Sequence, residues 1–406
     1  MNAIAPAFNS QQAPISLVSS FFPESPLTAW WRDAATQTFG DTSGFLPPDH
    51  NLGSFADITA RLWPTYAEAA WQEVMGLSVP LMEPTPDFKI DDSIRSGKIP
   101  HIDVTTQRIT PDCRMWNFTR HDSTAHTPRF LIVSPDSGSG SEAMTEFVHA
   151  FSWWGNVSLL QWVDPHYVPC GHDISLDSLT GAVVKAVAMN PKCHIVGDSQ
   201  SGITAARAAF YTAQRPELRE AAPASLTVIS SPIDASRKPL ASINWMATHS
   251  VGRPLAIPAG WAYPGRGRMI LPGAIMKLMF KHAPDEPKTA FPVQALSDQF
   301  IGDTLEGVFR QFLLARGKDV YRGEVIDPAQ YKGFVSVFMG ARDKICTPRQ
   351  TDALLDLTPN AAGHFSYTHP GGTHYGMLEY GVAAAIIAPS VAKAAGIARK
   401  PLMLVT

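Results

Sequence analysis

The sequence predicts an α/β fold: a mostly parallel central sheet flanked by helices, with a helical extension before it and an inserted subdomain within it. Three observations carry this. Short apolar runs such as F-L-I-V, C-H-I-V and L-T-V-I-S read as strands buried on both faces. Helix-like segments separate them, which calls for crossover connections and parallel pairing. Finally, the rhythm starts near His101, breaks between about Ser236 and Lys332, and resumes with F-V-S-V-F-M.

Taken in order, residues 1–100 are helical in pattern and punctuated by proline, with P-L-T-A-W-W-R-D-A-A-T-Q-T-F and R-L-W-P-T-Y-A-E-A-A-W-Q-E-V-M-G-L near the helical period. They are expected to pack on the main domain; an amphipathic element resting on an apolar surface is the sharper reading. Residues 101–235 and 333–406 form the α/β core, through R-M-W-N-F, F-L-I-V, V-S-L-L-Q-W-V, C-H-I-V, L-T-V-I-S and F-V-S-V-F-M. Between them, 236–332 has no clean strand but many Pro, Gly and Met residues and scattered aromatics, as expected of an insertion that caps the core.

Composition narrows the function. A net charge of −3 without any basic tract argues against a nucleic-acid partner. The four cysteines are scattered and form no C-x-x-C pair, which favours reduced thiols. The N-terminus lacks a charged region followed by an apolar core, and the apolar run Val382 to Ala388 stops at Pro389, short of the roughly 20 residues that span a bilayer. The expectation is a cytoplasmic protein with no transmembrane segment.

The stretch C-H-I-V-G-D-S-Q-S-G-I-T-A-A-R-A-A-F, from Cys193 to Phe210, joins a strand to an alanine-rich helix through two serines. A sharp strand-to-helix turn lifts one side chain above the sheet, and the residues two before and two after it must be small. Gly197 and Ser201 satisfy this around Ser199, whereas Ile203 would crowd a turn at Ser201. Ser199 is therefore the candidate nucleophile, with Ser201 replacing the last glycine of G-x-S-x-G, and Asp198 reads as a turn residue.

Such a serine needs a base and an orienting acid, which follow it in the order Ser, Asp or Glu, His. Asp343 lies just beyond F-V-S-V-F-M, and His369 and His374 follow the next strand in H-F-S-Y-T-H-P-G-G-T-H-Y-G. His374 is preferred because Gly371-Gly372 lets it reach back; Asp234 is a rival acid, while Asp352 and Asp356 read as solvated helix residues. For the oxyanion hole, the Gln200 N–H would be one donor, and Asp136 or Ser137, after F-L-I-V, the second.

Two other chemistries compete. Gly138 to Ala143 matches G-x-G-x-x-A, with Asp164 where a ribose-binding carboxylate would fall, so a dinucleotide-binding oxidoreductase is an alternative. Against it, S-P-D-S separates the strand from the first glycine and loses the tight turn. Metal chemistry is weaker: no two of the 13 histidines stand at i, i+4, and no H-E-x-x-H occurs, so no metal or other cofactor is expected.

On these motifs the chain resembles the intracellular polyhydroxyalkanoate (poly-3-hydroxybutyrate) depolymerases, relatives of the polyhydroxyalkanoate synthases in the α/β-hydrolase superfamily. The likeness spans P-L-T-A-W at Pro26, Q-W-V-D at Gln161, P-I-D-A at Pro232, Y-P-G-R-G-R at Tyr263 and G-G-T-H-Y-G at Gly371. It implies the α/β-hydrolase fold, a lid over the site from about Ser236, and the set Ser199, Asp343 and His374. One departure is that the family carries Cys, in C-Q-P, where this chain has Ser199-Gln200-Ser201.

The implied activity is a serine esterase acting on 3-hydroxyalkanoate polyester or its oligomers, at the surface of intracellular granules, in an enzyme for which a homodimer is admissible. Trp245, Trp261, Tyr263 and Met269 are candidates to line an apolar channel for it, with simple core packing as the plain alternative. P-I-D-A and Y-P-G-R-G-R are expected to shape the lid base. Alternatives are a synthase-like acyltransferase, a general short-chain carboxylesterase, and a granule-binding protein with a vestigial site.

Overall fold

The computed structural model describes residues 83, 85–136, 142–237, 256–260, 262–273 and 294–397. The chain divides into two units, Met1–Gln72 and Glu73–Thr406, and every described residue belongs to the second. The expected helical extension over 1–100 therefore lies mostly outside the described residues; within 85–100 there is one six-residue helix, Ile90–Arg95.

Eight strands form the central sheet: β1 (Ile102–Thr110), β2 (Cys113–Arg120), β3 (Arg129–Val133), β4 (Asn156–Trp162), β5 (His194–Asp198), β6 (Ser225–Ile229), β7 (Phe334–Gly340) and β8 (Gly363–His369). Their spatial order is β1-β2-β4-β3-β5-β6-β7-β8. β2 pairs antiparallel with both β1 and β4, and every other neighbouring pair is parallel. β5, buried along its whole length, sits between β3 and β6, with Gly197 opposite Val133 on one side and Val228 on the other.

Side chains alternate between two cores, as a pleat with both faces covered requires. Leu131, Val133, Ile195, Leu226, Val228, Val335 and Val337 face the core that contains helices α2 (Leu176–Met189) and α3 (Ser201–Gln214). Phe130, Ile132, Val196, Ile229 and Phe338 face the other, with Phe147 and Phe151 of α1 (Glu142–Ser152) and Val391 near the C-terminus. A later helix, α4 (Pro348–Leu357), connects β7 to β8. At the sheet edges the pattern changes: β1 is mostly exposed, and β8 alternates between half-buried and exposed residues.

Helix α2 starts on a reciprocal cap between Ser175 and Ser178, and α3 is almost wholly buried, with Ala205, Ala206, Ala208 and Ala209 inaccessible. Alanines let that helix lie close on β5, and Gly202 has no space to spare, since a Cβ there would stand 2.0 Å from Ser231 Oγ.

The insertion carries regular structure that the sequence does not announce. Ile257–Pro258, Met269–Leu271 and Leu296–Ser297 pair as a small antiparallel sheet. A helix over Asp298–Asp303 then widens into a π-helix over Thr304–Arg310, and Val320–Tyr321 pairs with Glu324–Val325 as a hairpin. Strands of two or three residues are too short to show an alternating pattern. Among the described residues, no helix is long and apolar enough to cross a membrane, and all four cysteines are free.

Candidate active site

Ser199 follows β5 directly and has φ 52, in the left-handed region that side chains with a Cβ rarely enter. Such strain persists only where the surroundings over-determine it. Here the Ser199 N–H donates to the Ile229 carbonyl at 2.8 Å, and the Gly202 N–H donates to the Ser199 carbonyl at 3.2 Å. Gly197 makes the turn sterically feasible, because a Cβ there would meet Gly202 Cα at 2.8 Å and Ala205 Cβ at 2.9 Å.

Ser199 Oγ lies 3.0 Å from His374 Nε2, and His374 Nδ1 lies 2.9 Å from Asp343 Oδ2. The other carboxylate oxygen, Asp343 Oδ1, accepts from the Ile345 N–H at 2.9 Å and the Cys346 N–H at 2.8 Å, which fixes the acid's orientation. Asp343 and His374 are buried, whereas Ser199 is half-buried and accessible. The acid enters from the end of β7 and the histidine from the end of β8. Their two loops are held together by glycines: a Cβ on Gly340 would stand 2.4 Å from the Gly372 carbonyl oxygen, and the Arg342 N–H donates to that oxygen at 2.9 Å. Gly372 thus serves close backbone approach, rather than the loop freedom expected from the sequence.

The rival residues are engaged elsewhere. Ser201 Oγ lies 2.7 Å from the carbonyl oxygens of both Val133 and Asp198, between which it shares its one proton, and accepts from the Asp198 N–H at 3.0 Å, so it pins the turn from inside. Asp234 accepts from the Ser236 N–H and pairs with Arg237, while Asp356 pairs with the same arginine from the surface. Asp352 accepts from Ser366 on the surface. The His369 ring stacks beside Tyr367, and its carbonyl accepts from Ala341 and Gly372. Asp164 caps the turn that follows β4 and accepts from the Ala295 N–H at 3.0 Å, so its carboxylate is occupied. Gly138 to Ser141, the heart of the dinucleotide-like motif, lie outside the described residues.

Of the oxyanion-hole candidates, Gln200 stands at the N-cap of α3, where backbone N–H groups have no helical partner. Its side chain donates to Thr304 Oγ1 at 2.7 Å. Asp136 closes the described part of the loop after β3, with its carbonyl accepting from Gln294 Nε2 at 2.8 Å; Ser137 lies outside the described residues. Among the described residues, both Asp136 carboxylate oxygens are buried without a hydrogen-bond partner, and burial pushes its carboxyl up to about 7. Asp198, just before the nucleophile, is also pushed up to about 7. Burial is the main cause; the nearby His374 offsets it and the Asp343 charge adds to it. Among the described residues, no cluster of His, Cys, Asp and Glu could hold a metal ion.

Of the proposed channel residues, Trp245 and Trp261 fall outside the described residues, and Met269 is exposed on its short strand. Of the two readings for Tyr263, channel lining and core packing, the structure has the second: it is buried, with its ring against His166 at 4.9 Å and Tyr167 at 6.2 Å. The rest of Y-P-G-R-G-R clamps the insertion to the loop after β4. Gly265 N–H donates to the His166 carbonyl at 2.8 Å, and Arg268 reaches the carbonyls of Pro169 and His172. A cavity of about 420 Å³ lies alongside, lined by Ile203 one turn into α3, Ile233, Val308, Phe312, Leu313 and Leu314, with Arg207 in its wall.

Comparison with known proteins gives a family for part of the chain. Residues 288–395 match the family described as PHB de-polymerase C-terminus. No curated protein matches the chain. Among solved structures, it is similar to a bacterial membrane phospholipase A described as a virulence factor (15% identity, 85% of this chain and 99% of that one, TM-score 0.46). It is also similar to a monoacylglycerol lipase from Paleococcus ferrophilus (13% identity, 72% and 99%, TM-score 0.43). A third is Est1E from Butyrivibrio proteoclasticus (14% identity, 71% and 96%, TM-score 0.42). The strand order, the strained serine after β5 and the sequence order Ser, Asp, His are those of an α/β-hydrolase. Residues 288–395, which deliver both Asp343 and His374, are thus similar to the PHB de-polymerase C-terminus family, carried here on an α/β-hydrolase fold.

Proposed function

We propose that this carboxylic ester hydrolase cleaves ester bonds of poly-3-hydroxybutyrate or its oligomers, with Ser199 as nucleophile, His374 as general base and Asp343 as the acid that orients it. The observation that carries the reading is the continuous chain from Ser199 Oγ to His374 Nε2 at 3.0 Å and from His374 Nδ1 to Asp343 Oδ2 at 2.9 Å. His374 takes the Ser199 proton as the oxygen attacks the ester carbonyl. Asp343 holds the tautomer with Nδ1–H toward itself and stabilises the imidazolium. The Gln200 N–H, with a backbone donor at Asp136 or Ser137, would hold the tetrahedral oxyanion. As the tetrahedral intermediate collapses and its ester C–O bond breaks, His374 gives its proton to the departing alkoxide oxygen, which leaves as the hydroxyl of the shortened chain. Water hydrolyses the acyl-enzyme by the same steps, with His374 again as base.

Support for the polyester comes from the family match over 288–395. In this reading the enzyme works in the cytoplasm on the surface of polymer granules. The test is incubation of wild type and Ser199→Ala with amorphous poly-3-hydroxybutyrate, its soluble oligomers and short-chain esters. Release of 3-hydroxybutyrate or its oligomers by wild type alone supports the reading. Turnover of short esters with none of the polymer or oligomers would replace it with a general short-chain carboxylesterase, and an active Ser199→Ala would remove the nucleophile.

A further inference from the structure

Gln200 is the residue whose N–H the hole would use, and its side chain is not free: Nε2 donates to Thr304 Oγ1 at 2.7 Å, across 104 positions of sequence. Thr304 is buried and opens the π-helix Thr304–Arg310. Wide π turns are rare and concentrate at functional positions. The preceding residue, Asp303, accepts from the Leu176 N–H at 3.1 Å and from Gln299 Nε2 at 2.9 Å. Two consecutive residues of the insertion therefore fasten onto the N-terminal ends of α2 and α3, the second of which carries the nucleophile's turn.

The strained turn is pinned from the sheet side by the Ile229 carbonyl and from inside by Ser201. The bond to Thr304 restrains the same turn from the insertion's side. We propose that Thr304 is a positioning residue for the oxyanion hole: its hydroxyl fixes Gln200, and through it the peptide between Ser199 and Gln200 whose N–H meets the developing anion. Settling of the segment 298–310 on the core and completion of the hole then become one event. A donor displaced by a fraction of an ångström weakens stabilisation of the anion more than it weakens ground-state binding.

This inference rests on the esterase reading above, and the experiment separates the two. Thr304→Val keeps the shape and deletes the acceptor; Thr304→Ser keeps the hydroxyl. Steady-state kinetics on a soluble short-chain ester should show Thr304→Val losing about 10- to 100-fold in kcat, in line with the cost of small misplacements, with KM nearly unchanged. Thr304→Ser should stay near wild type. Gln200→Met should lose a similar factor, and the double variant with Thr304→Val should lose no more than either alone. Covalent labelling by a fluorophosphonate, which needs the same hole but no ester turnover, should slow in parallel. Unchanged kcat and labelling in Thr304→Val would overturn the inference, as would an equal fall in Thr304→Ser or additive losses in the double variant. A wild type that neither hydrolyses esters nor takes the label would overturn the esterase reading, and this inference with it.

Discussion

Ser201 Oγ lies 2.7 Å from the carbonyl oxygens of both Val133 and Asp198, so the second serine of the turn bolts β3 to the nucleophile's loop. Replacing it with alanine removes buried hydrogen bonds worth about 1–3 kcal/mol and leaves Ser199 and His374 in place. We expect Ser201→Ala to unfold at lower denaturant concentration and to lose far less esterase activity than Ser199→Ala. An equal loss of activity in a folded Ser201→Ala would contradict the division of labour between the two serines.

Asp343→Asn keeps the geometry at the end of β7 but presents an amide to His374 Nδ1. The wrong tautomer is then favoured, and kcat should fall by about 10⁴, as in serine hydrolases with the same three roles. A fall of less than tenfold would assign the orienting role elsewhere.

The contact between Gly340 and the Gly372 carbonyl gives a purely steric prediction. A Cβ at 2.4 Å from a backbone oxygen cannot be accommodated by rotating a side chain. Gly340→Ala should therefore part the two loops and lower kcat by about 10²-fold, in keeping with small displacements of reacting groups. Kinetics beside a circular-dichroism spectrum distinguishes this from global unfolding.

Asp136 makes stability depend on pH in a stated direction. Its carboxyl is pushed from the ordinary 3.8 up to about 7 by burial. The folded protein keeps that proton between the two values while the unfolded chain loses it. Stability is therefore highest below the lower value and declines as pH rises through the window. Asp136→Asn, a neutral mimic, should be more stable than wild type by a few kcal/mol at about pH 8, and the gain should vanish at about pH 4. Thermal unfolding at the two pH values decides it; a gain of equal size at both would exclude the carboxyl as the cause.

Arg207 is the buried hub beside the cavity. Its guanidinium donates to Asp319 Oδ2 at 2.8 Å, Asp177 Oδ1 at 2.7 Å and Thr180 Oγ1 at 2.8 Å. Arg207→Met would leave the Asp319 carboxylate buried without its cation, which costs about 3–5 kcal/mol. Denaturant midpoints for Arg207→Met, with and without Asp319→Asn, should show the loss and its partial recovery.

Much of the sheet, and the residues of the candidate site that the fold brings together, left local marks in the sequence. Apolar runs such as F-L-I-V and C-H-I-V announce strands covered on both faces, and the small residue Gly197 announces a tight turn. Sequence order alone put Asp343 and His374 at the ends of adjacent strands. Other features rest on long-range pairings that leave no local mark. The Thr304 hydroxyl meets Gln200 across the fold, and an isolated threonine at the start of T-L-E-G-V-F-R carries no pattern. For Tyr263 the sequence leaves channel lining and core packing both open, and its neighbours His166 and Tyr167, from a distant loop, decide for the core. For Ser201, crowding by Ile203 argued against it as the raised residue of the turn, but the hydroxyl's engagement with Val133 was invisible.

The insertion leaves the sheet after β6 and returns at β7, and these two strands are parallel neighbours, with Ser225 opposite Phe334 and Ile229 opposite Phe338. Closing so long a detour between adjacent strands costs little more than closing a shorter one, since doubling a loop adds only about 0.6 kcal/mol. Ser199, Asp343 and His374, the proposed reacting trio, stand beyond strand ends outside that detour. Natural variation can therefore lengthen or shorten the detour at little entropic cost, so long as Thr304 still meets Gln200 beneath it.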